Sequence, residues 1–143
     1  MQDDTIKLLR ECNAGIKMGV SSLDDVMDKV QDAGLLELLK KSKATHTKLG
    51  NTTHEYLNKY HDEGKEPAVM AKVMSKMKTG MMLDEDGPDK TIAGLITDGC
   101  NMGVKSLYRY INRYKAADEK VIDLAKEVAK AEETLAKELR DYL

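Results

Sequence analysis

One stretch of this chain occurs twice. Gly15-Ile-Lys-Met-Gly19-Val20-Ser-Ser22-Leu23 returns as Gly99-Cys-Asn-Met-Gly103-Val104-Lys-Ser106-Leu107, with Gly, Met, Gly, Val, Ser and Leu at matching places. The register holds beyond the motif. Leu8 matches Ile92, Cys12 matches Ile96, Ile16 matches Cys100, Val26 matches Tyr110, Met27 matches Ile111 and Val30 matches Tyr114. A 3.6-residue period puts these positions on one side of a helix in both copies. The chain must therefore accommodate two equivalent long helices, each with an apolar stripe interrupted by glycines. Gly inside a helix costs about 1 kcal/mol relative to Ala, so four of them require compensation. The expected compensation is close backbone approach between the first and third helices, which would leave little space there for a metal or cofactor.

The remaining punctuation sets the layout. Asp3 or Asp4 can cap a first helix over about 4–31, whose inner stripe is Leu8, Leu9, Cys12, Ile16, Gly19, Val20, Leu23, Met27 and Val30. Asp32-Ala-Gly34 is a short reversal, so a second helix over about 35–62 folds back antiparallel. Its inner stripe is Leu35, Leu39, Ser42, His46, Leu49, Thr53, Leu57 and Tyr60. Pro67 opens a shorter amphipathic segment over about 68–83, rich in methionine (Met70, Met74, Met77, Met81 and Met82). Asp84-Glu-Asp-Gly-Pro88 then breaks the chain, and Pro88 starts a third helix over about 88–114. A second tight reversal precedes a fourth helix over about 118–142, with Val121, Leu124, Ala125, Val128, Ala131, Leu135, Leu139 and Tyr142 inward.

Two hairpins joined by a long connection describe an all-α, antiparallel four-helix bundle of one domain, residues 1–143. Tight, long and tight connections give the ferritin-like topology, in which the first and third helices are pseudo-twofold mates. Those are the two helices that share the repeat. Charged residues make up 34% of the chain and hydrophobic ones 41%, which suits helices that each keep a wet face. The formal net charge is −2 with both signs dispersed, which argues against nucleic acid as a partner. No segment has the apolar length of a membrane span, and the first residues lack the basic start and apolar run of a signal peptide. A cytoplasmic location follows as the expectation, with both cysteines reduced.

The layout and the helix motifs resemble an uncharacterised bacterial family of ferritin-like four-helix proteins, a domain of unknown function. In that family Cys-x-x-Gly followed by an acidic residue marks helices one and three. Cys12-Asn-Ala-Gly15 and Cys100-Asn-Met-Gly103 fit, while Ile16 and Val104 stand where the acid would be. The resemblance covers nearly the whole chain and implies an architecture, with no established activity to carry over.

A ferritin-like fold raises the question of a di-iron centre, which needs a Glu from each of two helices and Glu-x-x-His from each of the other two. The residues three before His46, His54 and His61 are Lys43, Asn51 and Asn58, and the fourth helix has no histidine. A standard di-iron site is thus not expected. His46 and Glu132 both fall on inner stripes and could meet inside the bundle, with His54 at the stripe's edge. The metal candidates are His46, Glu132 and His54, against a plain buried hydrogen-bonded pair. The methionine segment could suit copper(I), although such a stripe also serves as packing or as a dimer contact. Cys12 and Cys100 would lie about 9 Å out of step along antiparallel helices, beyond disulfide reach. The reading that results is a non-enzymatic structural or interaction protein, a homodimer without cofactor; the rival is a metal-binding or oxidoreductase-like protein using the His/Glu or Met residues.

Overall fold

The computed structural model describes residues 2–62 and 87–143. Helix α1, Gln2–Met27, opens with Asp3 and Asp4 in its first turn, where carboxylates complement the positive end of the helix dipole. It buries Leu8, Leu9, Cys12, Ile16, Leu23 and Val26 along one stripe. The helix ends at Met27, short of the expected position near 31. There the chain tightens, with the Lys29 and Val30 amides donating to the Val26 and Met27 carbonyls.

Helix α2, Ala33–Lys59, is capped by the Asp32 carboxylate, which accepts from the Leu35 amide at 2.9 Å. Past its last turn, Asp62 receives the guanidinium of Arg10 at 3.1 Å, which sets the end of α2 beside the start of α1. Helix α3, Pro88–Arg113, begins with Pro88 behind Gly87, whose φ of 99° is open to glycine and strained for other residues. Helix α4, Glu119–Glu138, is capped by Asp118 and runs into a 3₁₀ turn, Leu139–Tyr142.

Two sets of hydrogen bonds join the hairpins at their ends. Asp89 in the first turn of α3 accepts from the Gln31 and Asp32 amides at 2.8 and 2.9 Å. At the opposite end Thr5 Oγ1 accepts from the Asp118 amide at 2.8 Å, and Asp4 accepts from the Ala116 amide at 3.2 Å. Thr5 and Asp89 are separated by the same sequence offset as Gly19 and Gly103, and each holds the turn of the other hairpin. These contacts make α1 antiparallel to α3 and α2 antiparallel to α4. Helix α2 therefore ends at one end of the bundle while α3 starts at the other.

The described residues thus form an all-helical, four-helix arrangement without strands. The core is divided. One apolar cluster contains Leu8, Leu9, Cys12, Ile16, Leu57, Leu107, Ile111, Val121, Leu124, Ala125, Val128 and Ala129; the second contains Leu23, Val26, Leu35, Leu39, Ile92, Ile96, Leu135 and Leu139. Between them lies a polar layer. The methionine segment expected near 68–83 falls outside the described residues.

Candidate functional site

His46 and Glu132 form that layer. His46 stands on the inner stripe of α2 and is 1% exposed; Glu132 stands on the inner stripe of α4 and is 9% exposed. Nε2 of His46 lies 2.8 Å from Oε1 of Glu132. On the other side of the ring, Nδ1 lies 2.8 Å from the carbonyl oxygen of Ser42, one turn earlier, and 3.4 Å from the Ser42 hydroxyl. A carbonyl oxygen only accepts, so Nδ1 carries a hydrogen. Nε2 and Oε1 then need a proton between them, since a neutral Nε2 lone pair and a carboxylate are both acceptors.

Burial of the ring opposes its charge. The hydrogen bond and negative charge of Glu132, with the Ser42 carbonyl, outweigh that burial and hold the His46 pKa above its ordinary 6.5. Below that folded-state value the pair holds its proton between Nε2 and Oε1 as an imidazolium against a carboxylate, neutral as a unit. Cys100 of α3 lies beside the same carboxylate, and burial with Glu132 pushes its thiol pKa far above the ordinary 9.0. Cys12 sits in the other apolar cluster, with its thiol pushed up to about 12 by burial. Both cysteines are free and protonated, so neither is a nucleophile.

The second glycine of each repeat, Gly19 and Gly103, makes room for side chains, in place of the expected close contact between helix backbones. A Cβ on Gly19 would lie 3.1 Å from Cδ2 of His46 and 3.5 Å from Oε1 of Glu132. On Gly103 it would lie 3.7 Å from the Glu132 carboxyl carbon. The corresponding glycines of α1 and α3 thus flank one carboxyl group. Gly50 of α2 likewise makes room for a side chain of α1, since a Cβ there would come within 3.2 Å of Cγ2 of Ile16. Gly99 is exposed on α3, with nothing within 4 Å.

Of the candidates read from the sequence, the structure brings His46 and Glu132 together and leaves His54 exposed on α2. His61 lies just beyond α2 and is exposed. The donor set around the pair does not fit a di-iron centre, because one imidazole and one carboxylate already bond to each other. Among the described residues no group of three or more His, Cys, Asp or Glu is placed to hold a metal ion. The placement of Cys100 against Glu132 and the end contacts of Thr5 and Asp89 escaped the sequence reading. Thr5 gave one signal, a position on the inner stripe of α1 shared with Leu8, Leu9 and Cys12.

The class these features define is an antiparallel four-helix protein with a buried His–Glu pair at mid-length. No described helix is long and apolar enough to cross a membrane. No family, curated protein or solved structure matches the chain.

Proposed function

We propose that this chain is a non-enzymatic, ferritin-like helical scaffold, cytoplasmic and homodimeric, that acts through protein contacts and does not carry metal chemistry. The observation that supports this reading is the closed interior. Where a ferritin-like protein would carry its metal ligands, this chain has one His–Glu pair at 2.8 Å, two flanking glycines, and an apolar cluster above and below. Side chains that already satisfy one another leave no donors directed at a shared point.

A metal-binding reading draws on one observation, the presence of imidazole, carboxylate and thiol (His46, Glu132 and Cys100) in the same layer. Elemental analysis separates the two. The protein, purified without chelator and then exposed to Fe(II), Zn(II) or Cu(I), is expected to retain no stoichiometric metal. Stoichiometric metal that disappears on His46→Ala would overturn the scaffold reading. Light scattering coupled to size exclusion tests the dimer, and a monomer at every concentration would remove that part.

A further inference from the structure

The two hairpins are tied at three levels. The end levels use backbone amides donating to Asp89, Asp4 and Thr5. The middle level joins α2 to α4 through His46 and Glu132, and it is held by a proton on a side chain.

We propose that His46 and Glu132 act as a proton-operated clasp between the hairpins, closed when the pair holds its proton and loosened along the α2–α4 seam when that proton leaves. Loss of the proton sets one acceptor against another in either neutral tautomer. With Nδ1–H committed to the Ser42 carbonyl, a neutral ring turns the Nε2 lone pair toward Oε1 at 2.8 Å. The other neutral tautomer keeps the bond to Glu132 but sets the Nδ1 lone pair against the Ser42 carbonyl, also at 2.8 Å. The Ser42 hydroxyl, 3.4 Å from Nδ1, can donate to that nitrogen only through a long and therefore weak hydrogen bond, which offsets the mismatch in part. Either tautomer leaves an acceptor facing an acceptor in a buried site, and separation of the elements relieves it.

Among the described residues the side chains packed against the ring supply no substitute charge; Lys41, Glu127, Lys130 and Glu138 stand on the outer side of the seam. Helix α1 presents Gly19, and α3 presents Gly103 and the protonated thiol of Cys100, which faces Glu132. From α4 the turns either side of Glu132 present Val128, Ala129 and Leu135, and from α2 the ring is backed by Ser42. Among the described residues the titratable groups facing the ring are therefore Glu132 and, across it, Cys100. The outer side of this seam is already a groove of about 330 Å³, bordered by Leu38, Ser42 and Leu49 of α2 and by Ala131 and Leu135 of α4. Loosening the pair opens that groove toward the core.

The direction of the effect follows from linkage. The folded-state pKa of His46 lies above its ordinary 6.5, so the clasp contributes in full below that value and its contribution is lost as pH rises through the folded-state value. The loss is roughly tenfold in the opening equilibrium for each pH unit by which the folded value exceeds the ordinary one.

The test uses the full chain with ¹⁵N-labelled histidine, titrated from about pH 5 to pH 10 while amide exchange is followed and corrected for base catalysis. We expect both His46 ring nitrogens to be protonated at the acid end. Protection of facing amides in α2 and α4 should fall in step with the loss of that proton. In His46→Gln the step should vanish. A ring already neutral at pH 6 would overturn the clasp, as would protection that stays level through the ring's titration. An unchanged step in His46→Gln would overturn it equally. If His46→Gln fails to fold, coincidence of the two curves in the unsubstituted protein decides alone.

Discussion

The glycines show how much a single missing methyl group can decide. Gly99 is an exposed helix-interior residue with open space around it, so Gly99→Ala should stabilise the protein by about 0.5–1 kcal/mol through backbone entropy alone. Gly103→Ala should give a similar gain, because its new methyl would meet Glu132 at ordinary contact distance, 3.7 Å. Gly19→Ala should gain less or lose, since the methyl would lie 3.1 Å from a buried ring that is bonded on both sides. Thermal denaturation of the three variants tests the ranking, and a gain at Gly19 matching that at Gly99 would show that the ring is free to move. Leu at Gly19 or Gly103 should destabilise severely, as it would have to displace the pair.

At the scale of the element, helix starts are held by carboxylates, and one of these serves two structures at once. Asp118 accepts from Lys120 within its own helix start, an ordinary cap. Asp89 accepts two amides from the turn of the other hairpin while sitting in the first turn of α3. Removing Asp118 as Asp118→Ala should cost about 1 kcal/mol. Asp89→Ala should cost more, about 2–3 kcal/mol, because two amides lose a charged acceptor and α3 loses its favourable dipole partner. Urea denaturation of both variants checks this order, and equal costs would mean that water replaces Asp89 without loss. The same contact explains why α1 stops at Met27 although the apolar period continues to Val30. Asp89 draws the Gln31 and Asp32 amides into a turn, and Val30 packs as a partly buried residue below it.

For the molecule as a whole, the His46–Glu132 layer separates two apolar clusters that would otherwise be continuous. Breaking one partner should be costly: Glu132→Ala leaves a buried imidazole without its carboxylate, a loss of about 3–5 kcal/mol. Replacing both, as His46→Leu with Glu132→Leu, should recover most of that loss and could exceed the original stability, since a buried ion pair often does no better than apolar packing. A double-mutant cycle by denaturant unfolding measures this, and additive losses would show that the two residues do not act as a pair. The double variant should also lose the stability change at rising pH that the ring imposes.

The sequence by itself determined the class of the fold and the inward face of each helix. Helical periodicity, Asp32 and Gly87-Pro88 place the elements, although Ala33 and Gly34, expected in the reversal, belong to the first turn of α2. An inner stripe records which way a residue points around its own axis. That is why His46 and Glu132 were legible as interior residues. The level at which they stand is another matter, because nothing local encodes how far one helix slides along its neighbour. Turn contacts by Thr5, Asp4 and Asp89, together with the packing of two clusters, set that axial register. Only the tertiary structure therefore decided that Glu132 lies between Gly19 and Gly103, that Cys100 and not Cys12 joins it, and that the glycines accommodate a buried ion pair where close backbone contact was expected. Direction around a helix is a property of one segment; position along it belongs to the assembly.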